Sequence, residues 1–282
     1  MASIASSVGR RPTPVEQSSP MADELLFEKS DGVATITLNR PEALNAFHDA
    51  MLADWAAALN ECQADDAVSV VLLAANGRAF CAGGDLASLG DVEGNAALHI
   101  GDYLRTNVHP VARAVVALQK PYLCAVNGPA TGAGMDMALM ADIRWAGRRA
   151  RFAESYIKVG LVPGDGGAFL LPRLVGITKA LELLWTGDFV EADEALRLGI
   201  VSRVCDDDTL LDELREFAAR LATGPTVAIR LMKQVVYQSL GTDLLGALNL
   251  VTGPMGVAYN TEDRSEAVRA FLEKRSPNFQ GR

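Results

Sequence analysis

Histidine and cysteine are scarce in this chain of 282 residues, which has three of the first and four of the second. Cys62, Cys81, Cys124 and Cys205 are far apart and form no C-x-x-C pair, and the histidines lack the spacing of metal ligands. The small number and wide spacing of these residues argue against a zinc site and against a disulfide framework. They favour the buried, reduced thiols that are typical of a cytoplasmic protein.

Long apolar runs are missing as well, since no stretch of 18 or more apolar residues occurs. A transmembrane helix is therefore not expected. Positive charge is in the minority, because 26 Lys and Arg stand against 35 Asp and Glu and give a formal net charge of −9. Such a chain has no general attraction for nucleic acid or an anionic membrane, so local groups must hold any anionic ligand.

The chain carries no internal linker and no repeat. Residues 1–20 are rich in Ser, Pro and Arg and lack the apolar segment of a secretory signal, which predicts a flexible tail. We expect one α/β core over residues 21–205 and a helical C-terminal region over residues 206–282.

Hydrophobic periodicity predicts the strands of a single sheet. Residues 33–38 alternate with a period of two, whereas 68–74 and 122–126 are continuous apolar runs, typical of strands buried on both faces. A helical pattern lies between the last two runs, so the sheet should be parallel. Shorter strands are expected near 143–146 and 200–204. Helices are expected over 51–62, with Asp49 as a cap, over 135–141, and from about residues 178, 191, 209, 225 and 262.

Two loops leave the carboxyl ends of neighbouring buried strands, where open α/β sheets build their sites. The first is AFCAGGDL (79–86) and the second is NGPATGAGMD (127–136). Small residues let a ligand approach the backbone, and the free N–H groups at a helix start favour negative charge. Two such amides would form an oxyanion hole. Glycine-rich turns also follow strands for purely structural reasons, so neither loop alone identifies a site.

Six segments in order resemble the signature blocks of the crotonase (enoyl-CoA hydratase/isomerase) family, over roughly residues 23–282. They are ITLNRPEALNAF (36–47), AFCAGGDL (79–86), KPYLCAVNGPATGAGMDMALMADIR (120–144), VGLVPGDGGAFLLPRLVG (159–176), TGDFVEADEALRLGIVSRV (186–204) and TEDRSEAVRAFLEKRSPNFQGR (261–282). The resemblance implies a crotonase-like ββα spiral core with a helical C-terminal trimerisation region. It also implies an acyl-CoA thioester substrate, no prosthetic group, coenzyme A only as part of the substrate, and a homotrimer or a pair of trimers.

The resemblance assigns two backbone amides to the thioester oxygen, namely Gly84, just before the Asp of AFCAGGDL, and Ala133, three residues before Asp136. Asp136 keeps a carboxylate where hydratases of the family have a glutamate. Tyr156 stands where they have a second glutamate, and a phenol with a pKa of about 10 cannot replace that carboxylate as a base at neutral pH.

Two neighbouring acids are candidates for the missing group. Asp165, within Pro163-Gly164-Asp165-Gly166-Gly167, is the better one, and a turn-stabilising side chain is an equally good interpretation of it. For Glu154 a salt bridge is the favoured interpretation. Water addition needs two proton-transfer groups, whereas a double-bond shift can run on one carboxylate. The sequence thus favours an isomerase or another enolate reaction (decarboxylation, hydrolysis, dehalogenation) over standard hydration, with a non-catalytic acyl-CoA-binding protein as a further alternative.

Coenzyme A contacts are also implied by the resemblance. Its nucleotide part is assigned to Arg40, Ala43, Asn45, Ala46 and Ala82, and, near the C-terminus, to Phe271 and Lys274. Basic side chains near phosphates suit an acidic protein, although the C-terminal ones could equally form a solvated helix face. The acyl pocket is assigned to the variable segment 86–104, which carries Leu89, Leu98, Ile100 and Tyr103.

Overall fold

The structure, a computed structural model, describes residues 23–85 and 96–282, without the side chains of 96–98. The predicted tail over 1–20, the predicted pocket residue Leu89 and the side chain of Leu98 lie outside what the structure describes.

A six-stranded sheet with the order β1-β2-β3-β4-β6-β9 forms the centre of the described chain. Its strands are β1 (Leu25–Ser30), β2 (Val33–Leu38), β3 (Val70–Ala75), β4 (Tyr122–Val126), β6 (Ile143–Gly147) and β9 (Arg203–Cys205). All neighbours pair in parallel except β1, which is antiparallel to β2. The predicted parallel sheet is confirmed. The edge strand β1 was not predicted, because LLFEKS exposes its last three residues and shows no clear alternation.

A second, smaller sheet has the order β5-β7-β8 and consists of β5 (Pro129–Thr131), β7 (Arg151–Ala153) and β8 (Val190–Glu191). Strands of two or three residues are too short to show a periodic pattern, so none of them was predicted. β5 lies within the second glycine-rich loop and pairs in parallel with β7, with Thr131 opposite Ala153. This pairing places the residue after β7, Glu154, beside the start of the helix that follows the loop.

Eleven α-helices occur in the described residues. They are α1 (Asp49–Ala64), α2 (Ala96–Tyr103), α3 (His109–Ala117), α4 (Ala133–Leu139), α5 (Gly167–Val175), α6 (Ile177–Thr186), α7 (Ala192–Leu198), α8 (Leu210–Ala222), α9 (Thr226–Ser239), α10 (Leu244–Tyr259) and α11 (Glu262–Glu273). A π-helical turn (Leu104–Val108) joins α2 to α3, and 3-10 turns cover Pro41–Ala43 and Ser155–Val159.

Three details of the helices differ from expectation. The cap of α1 is His48 and not Asp49, because the His48 ring accepts the hydrogen bond from the Met51 amide, at 3.4 Å, and Asp49 is already helical. α5 and α10 were not predicted, since each contains a proline, Pro172 and Pro254, that normally ends a helix.

Apolar side chains cover both faces of the main sheet. One core lies between the sheet and α1, α3 and α4 and contains Ile36, Trp55 and Leu73, while the other lies under α8 and contains Leu72 and Leu214. β4 is buried along its whole length, as its continuous apolar run predicts. Burial on both faces leaves the carboxyl ends of β3 and β4 as the places where loops can receive a ligand.

The chain ends in a helical region, as predicted. α8 packs on the main sheet, whereas α9 and α10 pack on each other and contain no fully buried residue. None of the described helices is both long and apolar enough to cross a membrane.

Candidate active site

The two glycine-rich loops meet directly. Gly83 has a φ of +98°, and a Cβ at this position would lie 3.1 Å from the Thr131 carbonyl oxygen and 3.3 Å from the Ala133 nitrogen. The two loops are also joined by a hydrogen bond of ordinary length, which the Thr131 amide donates to the Cys81 carbonyl at 3.0 Å. A glycine is required here for both its positive φ and its lack of a side chain.

The amides of Gly84 and Ala133 lie at this junction. Gly84 pairs with Phe47 in an isolated bridge in which the Asp85 amide donates to the Phe47 carbonyl, at 2.9 Å. Ala133 is the first residue of α4 and follows Gly132, which has a φ of 52°. Neither amide donates a hydrogen bond to another described residue. Two free donors at the contact of two loops suit one shared oxygen atom.

Three side chains form a cluster beyond these amides. Asp136, on α4, is fully buried; Tyr156 lies on the 3-10 turn after β7; and Asp165 precedes α5. The Tyr156 hydroxyl is 2.9 Å from Asp136 Oδ2 and 3.0 Å from Asp165 Oδ2. The structure therefore brings together three residues that are 20 and 9 positions apart along the chain. Asp165 is not used to stabilise its turn, because its Oδ2 binds the tyrosine.

The Tyr156 hydroxyl bridges the two aspartates, and this arrangement constrains how many protons the cluster holds. One hydroxyl has one proton and can donate it to only one of the two carboxyl oxygens. The second oxygen makes a favourable contact only if it carries a proton that it donates to the phenol oxygen. Asp136 Oδ2 also faces the Asp165 amide, at 3.3 Å. Below about pH 6, where Asp165 keeps its proton, the negative charge is thus best placed on Asp136, with Asp165 as the acid.

Burial perturbs the acids of the cluster. It raises the pKa of Asp136, against the opposing effect of hydrogen bonding from Tyr156, Glu154 and the Gly167 and Asp165 amides. Burial and the charge of Asp136 raise the pKa of Asp165 to about 6. The pKa of Tyr156 is raised far above its usual range, first by burial and then by the two carboxylates, so the phenol keeps its proton.

Glu154 makes no salt bridge with a described residue, so the favoured interpretation of its sequence context is wrong. It is 1% exposed and lies against Asp136. Burial, followed by the charge of Asp136, raises the pKa of Glu154 to about 10. Both effects favour the protonated form of this carboxyl group.

Gly167, at the start of α5, is a site residue that the sequence reasoning missed. A Cβ on Gly167 would lie 2.1 Å from Asp136 Oδ1 and 2.7 Å from Glu154 Oε1. Its position inside Pro163–Gly167 suggested only a turn. Space for two carboxyl groups, and not an unusual φ, requires glycine here.

The side chains of Arg40 and Asn45 hold the first loop in place. Arg40 forms ion pairs with Glu24, at 3.1 Å, and Asp85, at 3.3 Å, and donates to the Ala46 carbonyl, at 2.6 Å. Asn45 is 0% exposed and donates to the Asn76 and Ala79 carbonyls. The first loop, with the exposed Ala82, is therefore tied to the turn after β2 that carries Ala43. Its contact with coenzyme A stays a prediction.

The remaining predicted contact residues lie on the outside of the chain. Phe271 is 83% exposed on α11, and Lys274 is exposed at the end of that helix. Ile100 is exposed on α2, while the Tyr103 hydroxyl donates to Asp49 Oδ1, at 2.8 Å. Their contacts with a ligand are likewise predictions.

A cavity of about 710 Å³ opens beside Asp165 between α3, α5 and α9. Its walls are mostly apolar and include Val115, Met140, Phe169 and Leu170. Asp165 is shared by this cavity and the cluster with Tyr156. Among the described residues, no group of three or more His, Cys, Asp or Glu side chains is arranged to hold a metal ion.

Comparisons with known proteins agree with the resemblance. A sequence profile described as enoyl-CoA hydratase/isomerase matches residues 28–282. The chain is 39% identical to 1,2-epoxyphenylacetyl-CoA isomerase of Escherichia coli strain K12, covering 93% of this chain and 100% of that protein. It is 34% identical to crotonyl-CoA hydratase of Syntrophomonas wolfei, covering 91% of this chain and 98% of that protein.

Solved structures give the same result for the fold. A crystal structure described as a putative enoyl-CoA hydratase/isomerase from Mycobacterium abscessus superposes with a TM-score of 0.88 and 35% identity, covering 92% of this chain and 100% of the other. An enoyl-CoA hydratase from Mycobacterium smegmatis gives a TM-score of 0.85 and 37% identity, with 93% and 99% coverage. The fold is thus the α/β crotonase fold with C-terminal helices. The chain belongs to the enoyl-CoA hydratase/isomerase (crotonase) family, whose members act on coenzyme A thioesters.

Proposed function

We propose that this protein is an enoyl-CoA isomerase, which moves a carbon–carbon double bond along the acyl chain of a coenzyme A thioester. The observation that carries the proposal is the Tyr156 hydroxyl. It occupies the place of the second glutamate of the hydratases and bridges Asp136 and Asp165, at 2.9 and 3.0 Å.

The reaction begins with removal of a proton from C2 of a 3-enoyl thioester. The Asp136 carboxylate takes this proton, and the electron pair of the C–H bond moves into a dienolate whose charge lies largely on the thioester oxygen. The Gly84 and Ala133 amides donate to that oxygen. Losing one such donor typically costs about 3–4 kcal/mol of barrier stabilisation.

The reaction ends with protonation at C4, which moves the double bond between C2 and C3. The proton comes from Asp136 itself or from Asp165, which exchanges its proton with Asp136 through the Tyr156 hydroxyl. Atoms and charge balance in both cases, because the cluster gives back one proton for the one it removed. No water molecule takes part.

Hydration fits this cluster less well because the residue at the place of the second glutamate cannot act as a base for water. Tyr156 keeps its proton, and burial together with the charge of Asp136 raises the pKa of the neighbouring Glu154. Asp136 is fully enclosed, so binding of the acyl group has to displace the Tyr156 ring or a neighbouring loop. Enclosure also keeps water away from the dienolate.

The names of the relatives support isomerisation without deciding it. Besides the Escherichia coli isomerase, the chain is 34% identical to trans-2-decenoyl-[acyl-carrier-protein] isomerase of Streptococcus mutans, over 92% of this chain and 98% of that protein. The Syntrophomonas relative is a hydratase at equal identity. The replacement of the second glutamate by Tyr156 favours isomerisation over hydration.

Two substrates test the proposal. With a 3-enoyl-CoA we expect the absorbance of the conjugated thioester to appear, and with crotonyl-CoA we expect that absorbance to persist. Rapid loss of the crotonyl-CoA absorbance, without isomerisation of the 3-enoyl substrate, would show that the protein is a hydratase. Turnover of neither substrate would point to a different enolate reaction, which mass analysis of products from a panel of acyl-CoA thioesters would identify.

A further inference from the structure

The carboxyl group of Glu154 is a buried acid that lies against the cluster and that the proposed reaction does not use. It lies directly after β7, on the side of Asp136 opposite to the tyrosine bridge. Oδ2 of Asp136 binds Tyr156, whereas Oδ1 faces Glu154 across the space left by Gly167.

Three carboxyl oxygens meet in this space, and they can form a hydrogen bond with one another only if one of them carries a proton. Asp136 Oδ1, Glu154 Oε1 and Glu154 Oε2 are buried, and none of them completes a hydrogen bond of normal geometry with a described residue. Two carboxylates side by side would repel each other in a site that excludes water. A single proton on Glu154, donated to Asp136 Oδ1, removes the repulsion and provides a partner for two of these atoms.

Within the described part of the chain, no positive group compensates a charge on Glu154. The titratable groups that act on it are Asp136, from α4, and Asp165, from the loop before α5. Tyr156, on the adjacent turn, bonds to those two acids. His109 acts only on Asp165. Every element that packs against Glu154 therefore favours the protonated form of its carboxyl group.

We propose that Glu154 is a positioning residue, which remains a neutral acid behind Asp136, donates its proton toward Asp136 Oδ1, and so keeps the negative charge of the cluster on Asp136. This inference extends the proposed function by naming what sets the basicity of the proton-transfer group. Glu154 touches no substrate atom; it acts through Asp136.

The first test needs no turnover and so is independent of the proposed function. Infrared spectra at pH 8 should show the carbonyl stretch of a protonated carboxylic acid in the wild type and its loss in Glu154→Gln. Asp263→Asn is the matched control, since Asp263 is also buried but accepts hydrogen bonds from the Gln280 and Gly281 amides, away from the cluster. It should keep the band. A wild type without the band, or a band that survives in Glu154→Gln, would refute a neutral Glu154.

The second test measures kcat/KM of the double-bond shift against pH. Glu154→Leu removes the donor, so the acidic midpoint should move up by about one pH unit and kcat should fall about tenfold. Glu154→Gln retains an N–H donor and should restore the midpoint and most of the lost rate. If Glu154 were ionised, Glu154→Gln would instead move the midpoint downward by removing a neighbouring negative charge. That result, or an unshifted Glu154→Leu, would overturn the positioning role.

The two tests distinguish a failure of the Glu154 proposal from a failure of the proposed function. If the infrared band behaves as expected but no acyl-CoA isomerisation is found, the proposed function is wrong while the protonation of Glu154 stands. In that case the pH dependence of whichever thioester reaction the product screen finds replaces the isomerase assay.

Discussion

At the residue scale, the chemistry depends on how two aspartates share one tyrosine. The Tyr156 hydroxyl reaches both carboxyl groups, and the amide of Asp165 adds a second, longer contact to Asp136. Such a cluster combines an ionised and a neutral carboxyl group in one enclosed site. A catalyst that both removes and returns a proton needs this combination.

Asp136→Asn and Tyr156→Phe should have unequal effects on the isomerase rate. The first removes the only group assigned to take the C2 proton, so we expect kcat to fall by at least about 1,000-fold. The second keeps the base and removes the bridge, so a loss of about tenfold is expected. Steady-state kinetics with a 3-enoyl-CoA measures both. Retention of most of the rate by Asp136→Asn would show that the acid/base assignment is wrong.

The raised pKa of Asp165 should be visible in stability. A carboxyl group titrates at about 3.9 in the unfolded chain, and burial raises the pKa of Asp165 to about 6 in the folded one. The folded state therefore holds this proton more tightly, and its contribution to stability is complete below pH 4 and is lost as the pH rises through 6. Asp165→Asn cannot lose a proton. Between pH 4 and pH 7 the wild type should lose up to about 3 kcal/mol of unfolding free energy relative to this variant.

Urea denaturation of both proteins at the two pH values measures that difference, and titrating groups away from the cluster cancel in it. Equal changes in the wild type and in Asp165→Asn would mean that Asp165 ionises normally in the folded protein.

At the element scale, the site depends on the contact between the loop after β3 and the turn that leads from β5 into α4. Residues of the first loop bond to β5 through the Phe80 amide and the Pro129 carbonyl, at 3.0 Å. The short sheet β5-β7-β8 then carries the backbone to Glu154 and Tyr156. One small sheet thereby positions both the amides that we assign to the thioester oxygen and the acids.

Gly83→Ala should impair catalysis without changing any reacting side chain. The new methyl group would press on the Thr131 oxygen and the Ala133 nitrogen, at 3.1 and 3.3 Å, in a backbone conformation with a φ of +98° that alanine disfavours. We expect kcat to fall about 100-fold as the amide pair separates. Gly176→Ala is the matched control, because its φ is +79° and no atom lies within 4 Å of the added Cβ.

The control should lose stability, measured by thermal unfolding, but keep its turnover once folded. A normal kcat in folded Gly83→Ala would show that the Gly84 and Ala133 amides do not bind the thioester oxygen.

At the scale of the whole molecule, the C-terminal helices indicate self-association. Apolar side chains cover the outside of α9 and α10, and among them Leu244, Leu245 and Leu248 are 74, 70 and 53% exposed. Monomeric proteins rarely expose so many large apolar side chains on one pair of helices. We propose, in keeping with the family resemblance, that three or six chains assemble through this region, with Phe271 and Lys274 reaching the nucleotide of a neighbouring copy.

Analytical ultracentrifugation tests the assembly. The wild type should sediment as three or six chains, and the double change Leu244→Glu, Leu248→Glu should shift it toward the single chain by burying two charges in the interface. Ile177→Glu, at a 71% exposed position on α6, is a control that also places a charge on an exposed apolar site and should leave the assembly intact. A monomeric wild type would contradict the trimer.

Much of the fold could be predicted because local pattern and burial agree along β2, β3, β4 and α1. The continuous apolar run of β4 required burial on both faces, and the structure has both faces covered. The edge strand β1, the short strands β5, β7 and β8 and the proline-containing helices α5 and α10 could not be predicted. They form because neighbouring elements provide hydrogen-bond partners and contacts that no local pattern contains.

The sequence by itself determined the two glycine loops and the carboxylate of Asp136, because tight turns and helix starts are encoded within a few adjacent residues. The use of the Gly84 and Ala133 amides as a pair stays a prediction from the family resemblance. Only the tertiary structure decided which acids meet. The pairing of β5 with β7 and the packing of α5 on α4 place Tyr156 between Asp136 and Asp165, and leave Glu154 buried without a cation. Contacts between residues 9 to 29 positions apart depend on that packing, and so does the pKa of every acid in the cluster.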